Sequence, residues 1–209
     1  MKSCLFLVLV PATFFFFASN PCLAQVDAQS SRKLAEEAQK EYVAGKFAEA
    51  ERDFRELTKR DPSNTRAQVY LGQALFRQEK YAEAIAPYEK ALDSERTGRR
   101  LSLEQRRILV DQLAIAYGMS GNLKKAHALL EDAIRKDPDY PLNYYNLACA
   151  FAEEGNKGAM LTNLSLAFQR KGNALRGEQM PDPRTDSSFK KYVQDEDFVK
   201  LMKKLGVTQ

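Results

Sequence analysis

The sequence has few of the residues that metal and catalytic centres use most. It contains a single histidine, His127, and three cysteines. A zinc site needs several such ligands, and a catalytic histidine needs a nucleophile or a carboxylate in the same pocket. The motifs H-E-x-x-H, C-x-x-C and G-x-S-x-G and the glycine-rich phosphate loop are absent. The sequence therefore predicts no metal, no cofactor and no enzymatic activity, although paired carboxylates stay open as a catalytic alternative.

The charge and the cysteine content exclude two further features, nucleic-acid binding and an internal disulfide. The 32 basic and 28 acidic residues give a formal charge of +4, an excess too small to predict nucleic-acid binding. Cys4 and Cys22 lie at the N-terminus, so only Cys149 would remain in a processed chain, and an internal disulfide would then be impossible. Cys149 is interpreted as a small apolar residue of a packed helix, with an intermolecular disulfide or a redox role as the alternative.

Residues 1–24 have the layout of a cleaved secretory signal. A basic start at Lys2 precedes an apolar run of about fifteen residues, which is shorter than the about twenty that span a membrane. The small residue Ala24 marks the predicted cut. The chain is thus predicted to be exported, to the periplasm or the medium, and to have no membrane span once cleaved. An uncleaved N-terminal anchor is the alternative. Residues 25–31 are polar and predict a flexible lead-in.

Most of the remaining chain repeats one amphipathic unit. The stretch 71–92 predicts two helices joined by a tight turn near Glu79 and Lys80. Equivalent residues of the copies stand 34, 42 and 34 residues apart, at Ala50, Ala84, Ala126 and Met160. The longer spacing indicates eight inserted residues. Helix pairs of this kind bury their apolar faces only when several of them stack.

This pattern resembles the tetratricopeptide repeat, as found in exported bacterial proteins. The second copy carries it through Leu71-Gly72, Leu75, Ala84 and Tyr88. The resemblance implies an all-α fold, a right-handed α-solenoid with a C-terminal helical cap. Four helix-turn-helix units are expected at about 32–64, 65–98, 99–140 and 141–170. Residues 171–209 predict a loop and two short capping helices.

Several local features modify this pattern. Pro87 lies inside a helix and predicts a kink, and the bulky Met160 is expected to separate the helices of the fourth unit. Ser102 and Gln105 predict a capping box that extends the next helix over about 103–119. The five arginines of the insertion at 94–107 are interpreted as solvated, with a docking patch for an acidic partner as the alternative.

The C-terminal tail contains acidic residues at helix starts. Asp186 and Asp195 are predicted as N-caps. A calcium site is the alternative for the set Asp182, Asp186, Asp195 and Asp197, although their spacing fits no known calcium loop.

The resemblance also implies a binding groove lined by the first helix of each unit. Matching this face position by position gives Gln39, Tyr42, Tyr70, Gln73, Arg77, Gln112, Tyr145 and Asn146. Aromatic and amide side chains of this kind suit an extended or helical peptide. The carboxylate clamp of the best-known family members is absent, because its positions hold Ala35, Gln39, Tyr70, Ile108 and Gln112. A chaperone tail is therefore not expected as the ligand.

The predicted function is a non-enzymatic scaffold or adaptor of the cell envelope that binds a protein or a peptide in this groove. A self-assembling structural module of the envelope is the alternative. The identity of the partner and the oligomeric state stay open.

Overall fold

The computed structural model describes residues 21–94, 98 and 101–207, and all the regular secondary structure among these residues is helical, with no strand. The α-helices are α1 (Pro21–Val43), α2 (Phe47–Arg60), α3 (Thr65–Arg77), α4 (Tyr81–Asp93), α5 (Leu103–Met119), α6 (Leu123–Lys136), α7 (Pro141–Glu154), α8 (Lys157–Gln169) and α9 (Glu196–Lys204). Short 3-10 helices span Lys171–Asn173 and Ser187–Tyr192.

The helices pack in chain order as a solenoid of four pairs. Each helix from α1 to α8 contacts the next one, and each first helix also contacts the first helix of the following pair, through α1–α3, α3–α5 and α5–α7. The second helices lie further from one another. Because one layer is more closely spaced than the other, the stack curves towards the first helices, which form its concave face. The predicted all-α solenoid is confirmed.

One backbone position fixes the turn inside every pair. Gly45, Gly121 and Gly155 have φ angles of +77°, +74° and +80°, and Glu79 occupies the same place with φ +59°. These residues follow the spacing of 34, 42 and 34 residues. Glycine adopts this left-handed conformation without steric cost, whereas a side chain such as that of Glu79 is strained there. The repeated turn therefore sets the reversal between the two helices of a pair.

Small residues at the helix crossings let the helices approach closely. Ala50 and Ala84 are fully buried, and Gly72 lies directly under the ring of Tyr88. Met160 replaces the small residue in the fourth pair and is also fully buried. The helices α7 and α8 nevertheless stay in close contact, so the expected separation is not observed. The small Ala148 of α7 belongs to the same buried cluster as Met160.

The inserted residues lengthen α5, as predicted. The Ser102 hydroxyl accepts from the Gln105 backbone N–H, and the Gln105 side chain accepts from the Ser102 N–H, so the capping box is present. Arg107, an arginine of the insertion, forms two hydrogen bonds of 2.7 and 3.0 Å to Asp137 and lies over the Tyr140 ring. Its charge is therefore used inside the fold. Arg96, Arg99 and Arg100 lie outside the described residues.

The expected flexible lead-in at 25–31 is wrong, because these residues continue α1, which begins at Pro21. Alanine and glutamine favour a helix, and residues 25–31 contain no glycine or proline that would end one. Most of the predicted signal, 1–20, lies outside the described residues, and the predicted cut after Ala24 falls within α1. None of the helices in the described part of the chain is both long and apolar enough to cross a membrane.

The C-terminal segment packs against α7 and α8 and covers the last pair. Phe189 and Phe198 are buried there with Tyr192 and Met202. Asp186 accepts from the Ser188 N–H, and Asp195 accepts from the N–H groups of the first turn of α9, so both predicted N-caps are present.

The four aspartates considered for calcium lie in separate ion pairs and caps. Asp182 pairs with Arg184, and Asp195 and Asp197 both pair with Lys157. Within the described ranges no group of three or more His, Cys, Asp or Glu side chains could hold a metal ion.

Candidate functional site

The predicted groove residues of the first two pairs contact one another. The Gln39 amide donates to the Tyr70 hydroxyl at 3.3 Å, and Arg66 donates to Gln39 at 2.9 Å. The Tyr70 ring stacks on Phe54 at 5.2 Å and meets Tyr42 edge-on at 5.8 Å. Gln39 and Tyr70 line a depression of only about 200 Å³. Much of this aromatic surface is therefore already used to join the first two pairs.

The predicted residues in the middle of the solenoid are also partly engaged. The Arg77 guanidinium lies 4.6 Å from the centre of the Phe47 ring. Gln112 accepts a hydrogen bond of 2.8 Å from the buried Tyr88 hydroxyl and so joins α4 to α5. Gln73 is half-buried on α3. A role of these three residues in binding stays a prediction.

The last two predicted residues, Tyr145 and Asn146, line a much larger groove. It has a volume of about 670 Å³ and lies on the concave face between α5 and α7, with the C-terminal segment as its far wall. We call it the C-terminal groove. Its lining consists of Asp111, Ala114, Ile115, Gly118, Met119, Gly121, Leu123, Ala126, Leu142, Tyr145, Asn146, Cys149, Ala150, Glu153, Pro181, Asp186, Ser187 and Ser188.

The C-terminal groove combines an apolar surface with three carboxylates. Its apolar part includes Ile115 and the exposed Met119, and its acids are Asp111, Glu153 and Asp186. None of the described residues that line it is a lysine, an arginine or a histidine. Although the chain has a net positive charge, all the described charged side chains that line this groove are negative. The volume is in the range of small-ligand pockets, so a few side chains of a peptide fit inside.

Tyr145 and Asn146 hold two of the carboxylates in place. The Tyr145 hydroxyl donates to Asp186 Oδ2 at 2.8 Å, and the Asn146 amide donates to Asp111 Oδ1 at 2.7 Å. Burial, followed by the neighbouring Cys149 and Asp186, raises the pKa of Tyr145 well above its usual range. Tyr145 therefore stays protonated and acts as a donor. The two predicted groove residues position the acids that face the groove.

Cys149 lies between these groups on α7. Its thiol is 4.0 Å from Asp186 Oδ2. Burial raises the pKa of Cys149 well above that of a free thiol, and the carboxylates of Asp186, Glu153 and Asp111 raise it further. Three acids from three segments of the chain thus act on one thiol. A protonated thiol is a weak nucleophile, so Cys149 is not activated for redox chemistry here.

The sequence analysis missed Asp111 and Glu153. Asp111 stands among Leu109, Val110, Leu113 and Ala114, which are all buried. A carboxylate within such an apolar stretch of α5 was the feature of the sequence that could have identified it. The convergence with Asp186 depends on the path of the C-terminal segment, which the repeat pattern does not determine.

The surroundings of Asp111 disfavour the ionised form of its carboxyl group. Burial raises its pKa from 3.8 to about 6; the hydrogen bond from Asn146 opposes this shift, and the nearby Glu178 adds to it. Since the folded-state pKa is the higher one, the folded protein binds more protons than the unfolded chain between about pH 4 and 6. The contribution of Asp111 to the free energy of unfolding therefore falls as the pH rises through this range.

We expect Asp111→Asn to stabilise the protein at pH 7.5 by about 1–2 kcal/mol, and by much less at pH 4, where the wild-type group is protonated. Urea unfolding at the two pH values measures the difference. The matched control is Glu131→Gln, which removes one charge from an exposed site on α6 and should change stability by less than about 0.5 kcal/mol. A destabilised Asp111→Asn protein at pH 7.5 would contradict this account.

Comparisons with known proteins agree with the fold. The family model described as "Tetratricopeptide repeat" matches residues 35–98. No curated protein matches the chain. A crystal structure of the protein MamA superposes with a TM-score of 0.65 at 20% identity and covers 85% of this chain and 91% of its own. YrrB, described as a TPR protein with an unusual peptide-binding site, has a TM-score of 0.60 at 15% identity, with 90% of each chain covered.

A tetratricopeptide repeat protein from Parabacteroides merdae ATCC 43184 gives a TM-score of 0.60 at 18% identity, over 85% of this chain and 68% of its own. Identities this low establish the fold alone. The sequence match over 35–98 identifies the first two helix pairs, and α5 to α8 continue the same stack with the same turn. Residues 35–98 are therefore tetratricopeptide repeats, and the described helices together have the fold of a tetratricopeptide-repeat solenoid.

Proposed function

We propose that this protein is a non-enzymatic scaffold that binds a peptide segment of another protein in the C-terminal groove. The observation that carries the proposal is the groove itself, a cleft of about 670 Å³ on the concave face between α5, α7 and the C-terminal segment. Its walls combine apolar side chains with polar groups whose positions are fixed by hydrogen bonds. Such a lining orients an extended ligand, while the apolar contacts supply binding energy.

The fold supports this proposal. Tetratricopeptide repeats form extended concave surfaces, which such proteins use to bind partners. The structurally similar YrrB is described as having a peptide-binding site. Met119, on the groove lining, is 64% exposed although it is a large apolar residue. A bound segment that covered Met119 would remove this surface from water.

We further propose that the protein acts in the cell envelope after export. The signal-like pattern of residues 1–24 supports this location, because it combines a basic start, an apolar run and a small residue at Ala24. The first partner search therefore belongs in an envelope extract.

Blocking the groove tests the proposal. Gly118 is helical, lines the groove, and has no atom within 4 Å of the place where a Cβ would lie. Gly118→Trp should place an indole ring in the groove, and its Cβ meets no core atom within 4 Å. We expect this variant to lose at least nine-tenths of the partner captured by chemical crosslinking from an envelope extract of the source organism.

Gly158→Trp is the matched control. Gly158 is also helical and has equally open surroundings, but it lies on α8, outside the groove. This variant should capture as much partner as the wild type. Equal capture by both tryptophan variants would contradict binding in the groove.

A further inference from the structure

The charge of the C-terminal groove indicates the chemistry of its ligand. This inference rests on the proposed function and goes one step further. Asp111 comes from α5, Glu153 from α7 and Asp186 from the segment after α8. Several acids elsewhere on the surface are paired with bases, as Glu51 is with Arg55 and Lys80. These three acids form no ion pair with any residue that the structure describes.

The hydrogen bonds that the acids do form come from neutral donors. Asp111 accepts from Asn146, and Asp186 accepts from Tyr145 and from the Ser188 N–H. Oδ2 of Asp111 has no hydrogen-bond partner among the described residues. The groups that act electrostatically on Asp111 include Glu178 and no base. A part-buried carboxylate without a counter-ion is costly, and a cation from a ligand would relieve that cost.

The groove lining excludes a ligand that is only a small cation. Its larger part is apolar and extends from Leu142 along α5 to Met119. The described residues offer no site that could hold a metal ion. A chain that carries both apolar and basic side chains matches both properties of the lining.

We propose that the C-terminal groove binds a segment of another protein through a lysine or arginine side chain, whose charge lies between Asp111 and Asp186. Neighbouring apolar side chains of the ligand cover Ile115 and Met119. Glu153, at the exposed edge, attracts the basic segment and favours its orientation.

Selection from a random dodecapeptide library displayed on phage tests this assignment. The full chain is the target at pH 7.5, and phage that also bind Gly118→Trp are discarded, so that only groove-dependent peptides remain. We expect nearly every recovered peptide to contain a lysine or an arginine next to apolar residues. An excess of acidic peptides, or no preference for charge, would overturn the inference.

Synthetic peptides then test the contact. The tightest peptide is N-acetylated, so that its terminal amine cannot replace the side chain, and its basic residue is changed to norleucine. We expect the dissociation constant to rise at least tenfold. Asp111→Asn should produce a similar rise, whereas Glu131→Gln, which removes one charge outside the groove, should change it less than twofold. Unchanged affinity in Asp111→Asn would contradict the assignment.

The pH dependence of peptide affinity is a further test, because a purely structural role of Asp111 would not produce it. The groups that act on Asp111 or are acted on by it are Asn146 and Cys149 on α7, Tyr140 just before α7, Tyr88 on α4 and Glu178 from the C-terminal segment. Since the Asp111 carboxyl protonates near pH 6, affinity should fall several-fold between pH 7.5 and 5 in the wild type and less in Asp111→Asn. Equal pH dependence of the two proteins would contradict a role for Asp111.

The outcomes separate the two proposals. Groove-dependent peptides without basic residues would leave the proposed function intact and remove only the basic ligand. The absence of any groove-dependent peptide would contradict both. If the mass measured by light scattering also rose with concentration, the groove would be occupied by a second copy of this chain instead of a foreign segment.

Discussion

Replacing Gly72 with alanine should lower the free energy of unfolding by about 3 kcal/mol, the upper part of the range for overpacked cores. An added Cβ would lie closer than 3.0 Å to three atoms of the Tyr88 ring. Tyr88 is fully buried, and its hydroxyl is held by Gln112, so the ring has no free space into which to move. Urea unfolding followed by circular dichroism measures the loss.

Gly118→Ala is the matched control for this substitution. It makes the same change in a helix, but the new methyl group meets no atom within 4 Å. It should therefore stabilise the protein by about 0.5–1 kcal/mol, the usual gain of alanine over glycine in a helix. In a Tyr88→Leu background the cost of Gly72→Ala should shrink, because the clashing ring is gone. Equal effects of Gly72→Ala and Gly118→Ala would show that α3 and α4 are not in this close contact.

The second large effect is expected at the C-terminal cap, where Phe189→Ala should cost about 3–4 kcal/mol. Phe189 is fully buried and meets the Tyr145 ring edge-on at 5.7 Å and the Phe198 ring at 6.1 Å. Its removal leaves a cavity between α7 and the cap. The same urea titration measures the cost.

The consequence of Phe189→Ala extends to the groove. Asp186 and Ser188 form the far wall and are next to this anchor in the chain. Hydrogen exchange should therefore accelerate at 186–192 before it does in α5. Val199→Ala in α9 is the control, because Val199 is 50% exposed and its truncation should change stability by less than about 0.5 kcal/mol. A Phe189→Ala protein as stable as Val199→Ala would contradict the role of the cap.

The features that the sequence predicted well are those that local chemistry decides. The capping box of Ser102 and Gln105 starts α5 at Leu103, as predicted, because both partners lie within one helical turn. The turn near Glu79 follows from the repeat, in which glycine occupies three of four equivalent places. The aromatic residues of the tail, Phe189, Tyr192 and Phe198, were predicted to cover the last helix pair, and they are buried against it.

The features that the sequence did not reveal depend on contacts between distant segments. Tyr42 and Tyr70 are residue types typical of a binding surface, yet their rings pack on each other, and the Tyr70 ring also stacks on Phe54. Asp111 and Asp186 lie far apart in the chain and line the same groove because Phe189 anchors the tail on α7. No periodicity encodes such an encounter. Only Tyr145 and Asn146 of the predicted set line the C-terminal groove, and they do so as supports of the two carboxylates.

The central claim is that a partner binds in the C-terminal groove, and the affinity of the captured partner for the two tryptophan variants tests it most directly. Titration calorimetry on the full chain should show at least a hundredfold loss, which is about 2.7 kcal/mol, for Gly118→Trp. Gly158→Trp should stay within twofold of the wild type. An affinity that Gly118→Trp leaves unchanged would show that the partner binds elsewhere on the solenoid.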